Sequence, residues 1–142
     1  MRLLVDASVA VKWFLPEELS DAADALLTGE HEICAPDFML VEAANTFWKK
    51  VRLDQMTPAK ADEALSDLAS GVIDIRPTSP LLPRALDMAN HIGHPVYDCI
   101  YVAAAEAWPA TLVTADRGLA EAVDRGDGKA ICSMLDQWIP SR

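Results

Sequence analysis

Asp6, Glu42, Asp98 and Asp116 are the residues of this chain whose type and placement point to chemistry. Asp6 ends the apolar run LLV, Asp116 follows LVTA, and Asp98 opens the helix-like stretch YDCIYVAAAEA. Folding gathers such strand ends at one edge of a parallel sheet. Carboxylates gathered there repel, by roughly 4 kcal/mol for two charges ~4 Å apart at an effective dielectric near 20. A cation relieves that repulsion, and oxygen ligands of this kind favour magnesium or manganese. The set therefore reads as a metal site suited to phosphate chemistry. Capping is the competing account. Asp is a common residue at helix N-termini, and capping alone would explain Asp98 and Asp116.

The elements that must position these residues alternate short apolar strands with longer helices, the pattern of an α/β fold with a parallel sheet. Strands are expected at 2–6, 32–35, 72–75, 111–114 and 129–132. RLLVD and TLVT are the clearest, because unbroken apolar runs suit strands buried on both faces. Helices are expected at 8–15, 20–29, 37–52, 58–70, 81–91, 97–107 and 117–124. Pro16, Pro36, Pro58, Pro80 and Pro109 fall at these boundaries, where a missing N–H is tolerated. No repeat, low-complexity tract or linker interrupts the pattern, so residues 1–142 read as one domain.

Two helices carry site candidates. In 37–52, Leu40, Ala44, Phe47 and Val51 recur at helical spacing and are expected to form the buried stripe. Glu42, Asn45 and Lys49 project from the opposite side, within about 60° of one another. A carboxylate, an amide and an ammonium in a line suit a metal, its water and a phosphate; an ordinary solvated face has the same pattern. Helix 97–107 is apolar all round and should be buried, which makes a carboxylate in its first turn either capping or catalytic. Trp13, Phe14, Phe38 and Trp48 are expected in the core or on a partner or dimer face.

With 142 residues, 51% of them hydrophobic, the chain is long enough for a sizeable core and too apolar for disorder. No run reaches the ~20 apolar residues of a membrane span. Asp6 and Lys12 interrupt the apolar N-terminal run, which argues against a secretory leader and for a cytoplasmic protein. Cys34, Cys99 and Cys132 have no CxxC spacing and read as reduced thiols. His91, His94 and Cys99 have the look of a zinc site, but Gly93 and Pro95 break the helix that would align them. The net charge of −10 is unusual for a protein that handles nucleic acid, and calls for a local basic patch or a basic partner.

The segments LLVDASVAVKWF, LVEAANTFWKK, YDCIYVAAAE and LVTADRGLA, in that order, resemble PIN-domain proteins. Among these the chain is most similar to VapC toxins of bacterial type II toxin–antitoxin pairs. The likeness runs from Met1 to about Ala122. It implies a three-layer α/β/α sandwich around a short, mostly parallel sheet, with an acidic pocket at the strands' C-terminal edge. It also implies Mg²⁺- or Mn²⁺-dependent endoribonuclease activity, with Asp6, Glu42, Asp98 and Asp116 as the acidic set. Ser8 and Thr114 match the hydroxyl positions beside them, and Asn45 the polar position one turn beyond the helix Glu. A VapB-like antitoxin and a homodimer are further implications, with RNA as substrate and no membrane involved.

On this reading Asp6 and Asp98 hold the principal ion, while Glu42 and Asp116 complete its surroundings or place a second ion. Ser8 and Thr114 orient carboxylates or waters, and Lys12, Lys49 and Arg117 are candidates for phosphate contacts. The rival enzyme is a Mg²⁺-dependent phosphatase or phosphoacceptor domain with Asp6 as nucleophile, although Ser8 stands where a second Asp is usual. The rival without chemistry is a docking module that keeps the pocket only to bind a partner.

Overall fold

Leu3, Leu4 and Val5 of strand β1 (Arg2–Val5) are fully buried, and the rest of the molecule is arranged around them. The computed structural model describes residues 1–126 and 130–138. β1 pairs with β2 (Glu32–Pro36) on one side and β4 (Thr111–Thr114) on the other, with Leu4 opposite both Cys34 and Leu112. β3 (Asp74–Arg76) adds outside β2, and β5 (Ile131–Met134) outside β4. All four pairings are parallel, and the order is β3-β2-β1-β4-β5.

That order dictates the layers. The chain moves outward from β1 to β2 to β3, then returns to place β4 and β5 on the other side. Parallel crossovers are right-handed, so the two directions of travel put their helices on opposite faces. The helices α1 (Ala7–Ala10), α2 (Ser20–Thr28), α3 (Phe38–Arg52) and α4 (Pro58–Leu68) form one layer. The helices α5 (Leu82–Ile92), α6 (Val96–Ala107) and α7 (Arg117–Arg125) form the other. The direct packing of α1 on α3, α3 on α4, α5 on α6 and α6 on α7 agrees with this division. The expected three-layer α/β/α sandwich is therefore present, with a sheet that is wholly parallel. Among the described residues no helix is long and apolar enough to cross a membrane.

Several local expectations are corrected. The first helix was expected over 8–15; its α-helical part stops at Ala10 and a tighter 3₁₀ turn, Val11–Trp13, completes it. The β-branched residues at 9 and 11 and the approach to Pro16 leave little room for a longer run. In α3 the fully buried residues are Met39, Ala43 and Phe47, not the stripe through Leu40 and Ala44. The cause is that α3 packs on several elements at once: α1, the 3₁₀ turn, β2 and α4. Ala44 and Val51 border a groove against α4, whereas Met39 and Ala43 lie in the core on the side of β2.

β3 begins at Asp74, where pairing with β2 starts opposite Cys34; before it Gly71 takes a φ of 98°, Val72 is exposed and Ile73 is buried. Of the strand expected at 129–132, residue 129 lies outside the described residues. The observed strand runs to Met134, as its pairing of Thr114 with Met134 requires. α6 starts one residue before the expected 97 and ends where expected; every residue from Cys99 to Ala105 is buried, while Tyr97 and Ala107 at its ends are exposed.

Candidate active site

The acidic residues meet where the strand order reverses. β1 and β4 are neighbours in the sheet but belong to the two opposite directions of travel, so the helices that follow them leave on opposite faces. The gap between those helices at the C-terminal edge is where α/β folds place ligand sites. Here it is a cleft of about 270 Å³, into which Asp6, Glu42, Asp98 and Asp116 all open. Ser8, Asn45 and Lys49 line it as well, together with Tyr101.

Asp6 forms the floor. It is 4% exposed and extended in backbone, and it caps α1, taking a hydrogen bond from the Val9 amide at 3.2 Å. Ser8 Oγ donates to its Oδ1 at 2.6 Å, and Thr114 Oγ1 donates to its Oδ2 at 2.5 Å. Both hydroxyls are held from behind: Ser8 Oγ accepts from the Ala115 amide and Thr114 Oγ1 from the Asp116 amide. The ends of β1 and β4 are thus laced together through one carboxylate. Thr114 itself is fully buried behind Asp6 and does not border the cleft.

Asp116 caps α7 by accepting from the Gly118 amide at 2.8 Å. Asp98 does not cap. α6 starts two residues before it, with Pro95 in the capping position and no side-chain cap bond. Capping thus accounts in part for Asp116 and Asp6, and not for Asp98. His94 Nδ1 instead lies 3.6 Å from Asp98 Oδ2. Glu42 comes from the second turn of α3, and its Oε1 accepts a hydrogen bond from the Tyr101 hydroxyl.

The electrostatics bind the four into one unit. Burial pushes Asp6 up to about 6, against the opposing hydrogen bonds of Ser8, Thr114 and Val9, and Asp116 pushes the same way. Burial also raises Glu42, to which the charges of Asp6, Asp98 and Asp116 add, while Tyr101 lowers it. Asp98 is raised by burial and next by Asp116, with His94 opposing. Carboxylates that raise one another in a half-buried cleft favour an added positive charge.

Among the described residues, no three His, Cys, Asp and Glu side chains are placed to hold an ion by themselves. A cleft onto which four carboxylates and the Ser8 hydroxyl open fits a hard divalent ion that keeps several of its own waters. The HxxH does not converge: Gly93, in the left-handed region at φ 71°, ends α5, His91 is exposed and Cys99 is buried in the core. The three cysteines are free thiols.

Of the basic candidates, Lys49 alone borders the cleft. Lys12 is bound elsewhere, donating to Glu17 Oε1 at 3.1 Å and to the Glu18 carbonyl at 2.9 Å. Arg117 is exposed at the start of α7 and outside the cleft lining. Two neighbours escaped the sequence reading. Tyr101 had a signal, a lone polar tip one turn after Asp98 in an apolar helix. His94 had been weighed only as a metal ligand.

Comparison with known proteins agrees with this architecture. The sequence pattern of the PIN domain matches residues 3–125. Ribonuclease VapC3 from Pyrobaculum aerophilum is 33% identical over 123 residues, spanning 85% of this chain and 94% of that protein. The crystal structure of PAE2754 from the same organism superposes with a TM-score of 0.69 at 28% identity, covering 93% of this chain and 83% of the other. A chain of VapBC2 from Rickettsia felis, crystallised bound to a DNA fragment from their promoter, shares the fold with a TM-score of 0.64 at 14% identity. That match covers 94% of this chain and 98% of the other.

Proposed function

The chain belongs to the PIN-domain family, on its VapC side, and from that premise we propose that it is the ribonuclease toxin of a toxin–antitoxin pair. Residues 1–142 form its single nuclease domain, acting on RNA in the cytoplasm. The observation that carries this reading is the meeting of Asp6, Glu42, Asp98 and Asp116 in one cleft between β1 and β4. Mg²⁺ or Mn²⁺ fits that cleft, because both are hard ions that accept carboxylates and waters together. Bound there, such an ion supplies positive charge for the phosphate and makes hydroxide available near neutral pH.

The protein's own groups divide the remaining work. Asp6 and Asp98 hold the principal ion, and Glu42 and Asp116 complete its surroundings. Ser8 and Thr114 keep Asp6 in one rotamer, since each hydroxyl is itself fixed by a backbone amide. Asn45 and Lys49, on the same side of α3 as Glu42, reach the phosphate and its water. The phosphatase reading fares worse. Such an enzyme usually wants a second Asp two residues after the first; Ser8 stands there, and its hydroxyl is committed to Asp6 Oδ1.

The antitoxin would be a basic, amphipathic segment. The acidic cleft attracts it, and α3 offers exposed apolar anchors at Val41, Trp48 and Leu53. A homodimer of the toxin accompanies this reading.

The test is cleavage of total RNA by the purified chain with MgCl₂ or MnCl₂, and again with EDTA. Discrete fragments that vanish with EDTA are the expected result. Intact RNA after incubation with metal and inhibitor-free protein would overturn the reading.

A further inference from the structure

We propose that Tyr101 is a positioning residue whose hydroxyl pins Glu42, so that this carboxylate presents one fixed oxygen to the divalent ion. The proposal rests on the reading of the cleft as an ion site. Tyr101 belongs to the run of α6 from Cys99 to Ala105 that is buried throughout, and is 2% exposed. A tyrosine so deeply placed has its ring fixed by packing, and its one polar atom needs a partner. That partner is Glu42 Oε1, on a helix from the other layer and 59 residues away in sequence.

The direction of the bond is set as well. A carboxylate only accepts, so the hydroxyl proton turns to Glu42 Oε1. Glu42 Oε2 has no hydrogen-bond partner among the described residues, and Glu42 lines the cleft.

Tyr101, one turn after Asp98 on α6, thereby ties that helix to Glu42 on α3. A free Glu on a helix surface gives up appreciable rotamer entropy when it is fixed. Pinning it beforehand moves that cost from ion binding to folding. Groups that hold metal ligands in this way typically change affinity or activity by about 10–100-fold when removed.

The experiment is calorimetric titration of MnCl₂ into four full-length proteins: the parent, Tyr101→Phe, Glu42→Gln and the double variant. Circular dichroism and melting of each checks folding. Tyr101→Phe is expected to weaken Mn²⁺ binding about tenfold. In the Glu42→Gln background the same change is expected to matter by less than about twofold, because the coupling runs through Glu42. Unaltered Mn²⁺ affinity in Tyr101→Phe would overturn the proposal, and so would an equal loss in both backgrounds. A parent that cleaves RNA while Tyr101→Phe binds Mn²⁺ unchanged sinks this inference alone. A parent that binds Mn²⁺ with the expected dependence on Tyr101 but leaves RNA intact supports it and sinks the ribonuclease reading.

Discussion

Asp98→Asn is expected to reduce RNA cleavage by at least about a hundredfold, on the scale of losing one charge-stabilising contact in an active site. The fold should survive intact. Asp98 makes no capping bond, so helix α6 does not depend on it for its first turn. The amide keeps the shape of the carboxylate and retains an oxygen for the His94 side. What is lost is one negative charge from a cleft in which Asp98 raises Glu42 and is itself raised by burial and by Asp116. Without an ion, that charge contributes repulsion; its favourable interaction with the helix N-terminus is worth only about 0.3–1 kcal/mol. Melting of the metal-free variant should therefore match or slightly exceed the parent. With Mn²⁺ present the parent should gain more than the variant. Single-turnover cleavage and paired melts measure both. A variant that melts like the parent and cuts RNA within threefold of it would remove Asp98 from the site.

The strands that build this cleft were legible because burial on both faces leaves a crude signature. LLV contains nothing polar and TLVT nothing charged, and their ends named Asp6 and Asp116 directly. Helix α6 was legible for the same reason. Where burial is partial the signature fails. β3 and β5 are the sheet's edges, and their limits are set by pairing and by the backbone of Gly71, so each was placed about two residues early. The stripe on α3 was displaced because several neighbours, not one, bury it.

Side-chain partnerships were legible only when local. Ser8 lies two residues from Asp6 and was expected beside a carboxylate or water; its hydroxyl donates to Asp6 Oδ1. Tyr101 finds Glu42 across 59 residues, and no spacing along the chain records that. Lys12 was misread by the same rule. A helical spacing suggested nothing about Glu17 and Glu18, which the turn beyond Pro16 brings under its ammonium. Capping was misassigned too: proximity to a helix start is visible in sequence, whereas the cap itself depends on which residue first leaves the extended region. Asp6 and Asp116 do so, and Asp98 is already inside its helix.

The metal-free protein should carry a stability penalty at neutral pH that is written into Asp6. Its folded pKa is about 6, against an ordinary value of 3.8, because burial outweighs the hydrogen bonds from Ser8, Thr114 and Val9. The folded state therefore holds this proton more tightly than the unfolded chain does. The resulting stabilisation is fully present below about pH 3.8 and fades as the pH rises through about 6. At 1.36 kcal/mol for each unit, its full size is about 3 kcal/mol, or roughly 10 °C in melting temperature for a chain of this length. Other carboxylates titrate in the same window, so the informative quantity is a difference. Asp6→Asn keeps a neutral group in the same place at every pH. The stability of Asp6→Asn relative to the parent, both in EDTA, should rise by roughly 2.4 kcal/mol between pH 4 and pH 7, the rest of the span lying below pH 4. Saturating MnCl₂ at pH 7 should shrink or reverse that gap, because only the parent offers the ion a full carboxylate. Denaturant melts across the range, with and without Mn²⁺, test both halves. A gap that stays constant from pH 4 to pH 7 would show that Asp6 titrates like a solvent-exposed carboxylate. Its burial behind Ser8 and Thr114 would then not be what prepares the cleft for a cation.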